Sequence, residues 1–127
     1  MIEQGLQQEI NMVMTEARNR RLEFVTVEHL LLALLNMDEV VSFLRGKRVN
    51  IDELRAELDQ YIDSHTPIIS EDAEIDIVPT VGFQRVLQRS VYQAQSAQKN
   101  SVNAMNVFVS IFSEKESHAV YMLKLNN

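Results

Sequence analysis

The chain has 127 residues, 46% of them apolar and 24% charged, enough to bury a core within one domain. Its formal charge of −6, from 18 acidic and 12 basic residues, has the wrong sign for a surface that tracks phosphates, so nucleic acid is not an expected partner. Three glycines and two prolines are too few for a loop-rich or all-β chain, and the lack of cysteine excludes disulfide and thiolate chemistry.

Residues 3–21 carry Leu6, Ile10, Val13, Met14 and Ala17 at spacings of three and four, which predicts an amphipathic helix. Thr26 is placed to cap a second helix, with the charge of Glu28 at its positive end. The run from Leu30 to Leu35 is apolar almost all round, so this helix is expected at the centre of the molecule. A third helix, at about 38–45, turns Val40, Val41, Phe43 and Leu44 inward, with Gly46 as a left-handed stop. Asn50 with Glu53 resembles a capping box for a fourth helix at 51–63, whose stripe is Ile51, Leu54, Leu58, Tyr61 and Ile62.

Residues 66–79 lose helical spacing and hold a proline near each end, which predicts an extended linker that can tuck in Ile68, Ile75 or Ile77. Thr80 then caps a helix running to about residue 99, with Phe83, Leu87, Val91 and Ala94 inward. Asn103 caps the next, which carries Val107, Phe108, Ile111 and Phe112. A last helix at about 115–125 offers Val120, Tyr121, Met122 and Leu123 to the core. The longest apolar run is far below the ~20 residues that span a bilayer. The N-terminus lacks the basic-then-apolar pattern of a signal peptide. The expectation is a soluble, cytoplasmic protein with no membrane partner.

These elements repeat. Shifted by 77 positions, Leu6 meets Phe83, Ile10 meets Leu87, Met14 meets Val91 and Ala17 meets Ala94. Further on, Val25 meets Val102, Thr26 meets Asn103, Leu30 meets Val107, Leu31 meets Phe108 and Leu35 meets Phe112. Apolar character and cap chemistry are kept more than identity, as in a duplicated helical unit. The expected fold is therefore all-α, a tandem pseudo-twofold repeat of a four-helix motif. Repeat 1 covers 1–65, a linker covers 66–79, and repeat 2 covers 80–127 without a counterpart of the helix at 51–63. That asymmetry predicts apolar surface on the last helix without its usual cover.

The stretch Thr26-Val-Glu-His-Leu-Leu-Leu-Ala-Leu-Leu35 resembles the signature of the Clp amino-terminal domain, the repeat module at the front of class I Clp AAA+ unfoldases. Thr80-Val-Gly-Phe-Gln-Arg-Val-Leu-Gln-Arg-Ser-Val91 and Ile111-Phe-Ser-Glu114 are similar to the ClpA branch of that family. The chain departs from the family pattern at Val102-Asn-Ala-Met105, where it keeps a cap-competent Asn103. The resemblance implies a non-catalytic module that docks a ClpS-type adaptor and protein substrates, then passes them to an ATPase ring feeding ClpP. It assigns adaptor-facing roles to Glu23, Thr80 and Arg85, with Glu28 beside them. ATP and Mg would belong to ATPase domains outside this segment, which needs no cofactor. Two other readings stand beside it: a stand-alone or oligomerising fragment of this type, and the N-domain of another class I Clp ATPase with a different adaptor.

The residues argue for binding over chemistry. The one Gly-Lys pair, Gly46-Lys47, is followed by Arg48 and has Val41 where a phosphate loop needs its first glycine. His29, His65 and His118 lack the i, i+4 partner of a helical metal site. Neither a Gly-x-Ser-x-Gly elbow nor a glycine-built oxyanion hole orders a nucleophile. Arg18, Arg20 and Arg21 read as partners of a helix C-terminus or as a dock for an acidic protein. Of the methionines, Met14 and Met122 are expected in the core more than in a plastic groove.

Overall fold

Two reciprocal capping boxes start the helices at the centre of the molecule. In the first, Thr26 Oγ1 accepts from the His29 amide at 3.4 Å, and the Thr26 amide donates to His29 Nδ1 at 3.0 Å. In the second, Asn103 Oδ1 accepts from the Asn106 amide at 2.8 Å, and the Asn103 amide donates to Asn106 Oδ1 at 3.0 Å. Each box satisfies two backbone donors that a helix start otherwise leaves without partners. The helices they launch are Val27–Leu34 and Ala104–Ile111, 77 positions apart at both ends.

The computed structural model of the chain describes residues 2–70, 76–115 and 117–125. In chain order the elements are α1 (Gln4–Asn19), β1 (Phe24–Val25), α2 (Val27–Leu34), α3 (Asp38–Gly46) and α4 (Ile51–His65), followed by β2 (Val78–Pro79), α5 (Val81–Ser96), α6 (Ala104–Ile111) and α7 (His118–Leu125). The all-helical expectation holds for the body of the molecule. None of the helices among the described residues is long and apolar enough to cross a membrane.

Helices α2 and α6 pack on each other, with α1 against α2 and α5 against α6. Leu30, Leu31, Leu34, Val107, Phe108 and Ile111 are all at most 2% exposed, and they belong to one continuous apolar cluster that draws on every helix. Backbone links repeat the 77-residue step across the halves. The Glu3 amide donates to the Val102 carbonyl and the Thr80 amide to the Val25 carbonyl, both at 2.9 Å. Shifting each member of the first pair by 77 and exchanging halves gives the second.

Helix ends repeat too. After α1, Arg21 takes a left-handed backbone (φ 58°) and the Leu22 amide returns to the Ala17 carbonyl; after α5, Gln98 (φ 60°) and Lys99 do the same toward Ala94. α3 ends alike, with Arg48 at φ 64° and the Val49 amide on the Leu44 carbonyl. The left-handed stop expected at Gly46 is therefore two residues later, and Gly46 is the last residue of the helix itself.

Three further expectations are corrected. The linker, expected as an extended segment, also pairs: Phe24 with Val78 and Val25 with Pro79 in a short parallel ladder, and Leu22 bridges Ile68. Ile77 is buried at 8% exposure, Ile68 is open at 71%, and Ile75 lies outside the described residues. The arginines at the end of α1 hold this strap and α4. Arg18 Nε meets Asp76 at 3.0 Å, Arg20 pairs with Asp63, and Arg21 Nε donates to the Ile69 carbonyl at 3.2 Å. Finally, Phe43, Phe112 and Tyr121, expected inward, are 43%, 40% and 57% exposed. Val86 and Ser90 on α5 are fully buried where Leu87 and Val91 were expected, and those two are half-buried.

His29 makes the fold sensitive to acid. Its Nδ1 accepts from a backbone amide, so the neutral ring carries its proton on Nε2, which is buried without a partner. Burial, helped by the nearby Arg20 charge, pushes its pKa from 6.5 down to about 4. The unfolded chain takes up this proton first as pH falls, so the stability involved is complete above about pH 6.5 and is lost toward pH 4. The full loss is roughly 3 kcal/mol at 1.36 kcal/mol per pKa unit. His29→Asn copies the box that Asn106 makes, and it should flatten this part of the pH profile. Urea midpoints of both proteins between pH 4 and 8 check it; parallel profiles would contradict it.

Candidate docking cleft

Helix α5 starts where the short ladder ends, and this start builds one side of a cleft of ≈ 590 Å³. Thr80 is held by its amide to Val25 and caps α5 by accepting from the Phe83 amide at 3.2 Å. Gly82 follows because the neighbouring elements come close: a Cβ there would sit 3.2 Å from Val27 Cγ2 and 3.3 Å from Glu114 Oε1. Arg85 and Arg89, one helical turn apart, both reach Glu114, which lies just past the end of α6. Arg85 grips it in two places, Nη2 to Oε1 at 2.7 Å and Nε to Oε2 at 3.1 Å. Arg89 stands at 3.5 Å and also donates to the Ser110 carbonyl at 3.4 Å.

The Arg85 hydrogen bonds hold the Glu114 carboxyl below its usual range and raise the Arg85 guanidinium in turn. The arginine side chain is 55% exposed and the glutamate 10%, so the pair presents a fixed cation at the rim over a shielded anion. Such bidentate pairs set orientation as well as charge.

The opposite wall comes from α2, α4 and α7. Glu28 lines it but is only 7% exposed, and its Oε2 accepts from the Ala119 amide at 3.0 Å. The expected interaction with its own helix's positive end is thus joined by a cap on α7, reached across 91 positions of chain. Tyr61 of α4 is sandwiched between His65 and His118, with ring centroids 4.1 and 3.9 Å away. Burial, and then the Glu28 charge, raise the Tyr61 phenol above its ordinary pKa.

Of the four positions assigned to an adaptor, Glu28, Thr80 and Arg85 line this one cleft. Glu23 does not. It precedes β1, half-buried, with its amide on the Pro67 carbonyl at 2.8 Å and its carbonyl accepting from Val78 at 3.0 Å. Sequence reasoning passed over Arg89, Glu114, Tyr61 and His118 as site residues. The four-residue spacing of Arg85 and Arg89 was a signal that both face one neighbour; the aromatic stack between distant helices left none. The lining groups are paired charges, amide caps and stacked rings, an arrangement that can hold a polypeptide surface by charge and shape.

The chain matches the Clp repeat (R) N-terminal domain family over residues 1–126, and it belongs to that family. Its relatives include the ClpA homolog protein of Fuscovulum blasticum, 37% identical over 120 residues, a match covering 94% of this chain and 15% of that protein. The chain thus spans about 15% of the length of that relative. Among solved structures, the fold is shared with the Hsp104 N-terminal domain of Candida albicans (TM-score 0.83, 12% identity, 98% of this chain and 81% of that one). It is shared also with the N-terminal domain of the ClpV1 ATPase from E. coli (TM-score 0.79, 14% identity, 96% and 76%). The same holds for the N-terminal domain of ClpD from Arabidopsis thaliana (TM-score 0.71, 20% identity, 97% and 82%). The class of protein is therefore a Clp repeat N-terminal domain, with a ClpA homologue among its relatives.

The Glu28 bond gives a stability test. Glu28→Ala strands the buried Ala119 amide and should cost about 1–3 kcal/mol in urea unfolding. Glu28→Gln keeps a carbonyl acceptor and should recover at least half of that loss. Equal losses in the two variants would show that the bond to α7 is not what Glu28 supplies.

Proposed function

We propose that the cleft and the adjoining β1–β2 ladder form the docking face of a ClpA-type unfoldase N-domain. It binds a ClpS-type adaptor and protein substrates and hands them to an ATPase ring that feeds ClpP, in the cytoplasm. This segment does no bond-making of its own. The reading is supported by one observation above the others: the positions that the ClpA resemblance assigns to the adaptor fall on one continuous stretch of structure. The ladder lays residues 24–25 alongside 78–79, the Glu23 carbonyl accepts from the Val78 amide at its start, and Thr80 directly follows it. Arg85 lies one turn and a half into the helix that Thr80 caps, and Glu28 stands on the facing wall.

In this reading the residues divide their work. Arg85, oriented by Glu114, presents a rim cation, and Glu23 presents an anion at the other end. Rim charges of this kind choose the partner and steer its approach. Thr80 fixes the start of α5, and Glu28 holds α7 as the far wall. The likeness to a ClpA homologue at 37% identity favours this branch over other class I Clp ATPases.

Titration calorimetry with a ClpS-type adaptor tests it. Glu23→Arg and Arg85→Glu should each weaken binding about tenfold or more, equivalent to about 1.4 kcal/mol. The loss should be largest at low salt. Wild-type affinity in both variants would remove this face from the interface.

A further inference from the structure

Helices α1, α2 and α4 enclose a polar pocket of ≈ 230 Å³ that shares no lining residue with the docking cleft. His29 lines it at 3% exposure. Its Nε2 is the one buried side-chain nitrogen or oxygen among the described residues that lacks a hydrogen-bond partner. Because Nδ1 accepts from the Thr26 amide, Nε2 carries the ring proton and can only donate. A buried donor without an acceptor is costly and rare in native folds, so the pocket beside it is where an acceptor from outside the chain belongs.

Contacts between the three helices fix the order of groups along the pocket. At the far end Asn36 Nδ2 donates to Glu9 Oε2, and Arg55 Nη1 donates to Asn36 Oδ1, both at 3.1 Å. Arg55 Nη2 is spent on the Leu35 carbonyl at 3.1 Å. At the near end stand His29 and Arg20, whose charge acts on the His29 ring and which pairs with Asp63. Between the ends lie half-buried Val13 and Leu32 and the exposed carboxylates of Glu16 and Asp59. Neither carboxylate joins an ion pair among the described residues. The volume is several times the ~30 Å³ of one water, and it falls below the roughly 300–1,000 Å³ of pockets for drug-sized ligands. The space suits a molecule of a few heavy atoms.

We propose that this pocket binds a small zwitterion, an α-amino acid with an aliphatic side chain. The carboxylate accepts from His29 Nε2–H and from the N–H groups of Arg20 that Asp63 does not use; a guanidinium has five such donors. The ammonium lies between Glu16 and Asp59, and the aliphatic side chain rests on Val13 and Leu32. The lining matches the ligand in charge as well: Arg20 and Arg55 are offset by Glu16 and Asp59. A simple anion is the poorer occupant, because those two carboxylates stand against it. A simple cation leaves the buried N–H of His29 unused.

L-Valine is the probe, titrated at neutral pH into the nitrogen-labelled 127-residue chain and followed by NMR at the His29 ring nitrogens and the backbone amides. Isovalerate and isobutylamine, which are valine without its ammonium and without its carboxylate, serve as comparisons. Saturable shifts are expected at His29, Glu16 and Leu32, and each comparison compound should bind about tenfold more weakly or worse, as loss of a charge-assisted contact implies. His29→Asn, which removes the ring N–H, should weaken valine to a similar degree. Glu16→Gln combined with Asp59→Asn should abolish the preference for valine over isovalerate. Both carboxylates are exposed, so this second variant should fold even where His29→Asn does not; circular dichroism and urea midpoints verify it. No saturable shift with valine, or a preference for valine that survives the double substitution, would overturn the proposal. Isovalerate bound as tightly as valine by the unaltered chain would reduce the pocket to a carboxylate hole and overturn it equally.

Discussion

The structure depends on the burial of two short apolar helices against each other. Helices of eight residues do not hold together in water on their own, because nucleation costs more than so few turns return. Here the capping boxes at Thr26 and Asn103 close the exposed amides, and the interface then removes Leu30, Leu31, Leu34, Val107, Phe108 and Ile111 from solvent. Each such side chain contributes about 1.5–3 kcal/mol of transfer free energy. Each half thus supplies part of the apolar surface the other needs, and α1, α4, α5 and α7 enclose the pair.

That mutual burial explains where the cleft forms. With α2 and α6 fixed, the ends of both halves meet: β1 lies against β2, Thr80 begins α5 beside Val25, and Glu114 falls under Arg85 and Arg89. Glu28 then ties α2 to the start of α7, so the far wall is set by a buried hydrogen bond. The cleft is thus held in shape by contacts within the chain itself.

Much of this was legible in the chain. Apolar spacing located all seven helices found among the described residues, and the 77-residue step anticipated that α5 and α6 would echo α1 and α2. Cap chemistry placed Thr26, Asn50, Thr80 and Asn103 at their helix starts. What periodicity could not convey was which apolar residues would lack a neighbour. Phe43 and Phe112 look like core residues in sequence, and only the arrangement of α3, α6 and α7 leaves them open. The box partner His29 was hidden because its usual occupant is Glu or Gln. Of the cleft's lining, Thr80 and Arg85 were singled out by the resemblance, whereas the Glu114 pairing and the Tyr61–His118 stack depend on contacts between distant segments.

The central claim is that the halves share one core and cannot fold apart. Native-state hydrogen exchange tests it most directly, through the amides of residues 30–34 and 107–111 at increasing denaturant. Both sets should exchange only through global unfolding, with the same free energy and the same denaturant slope. If one half's central helix opened with a lower free energy and a shallower slope while the other stayed protected, the shared core would be contradicted.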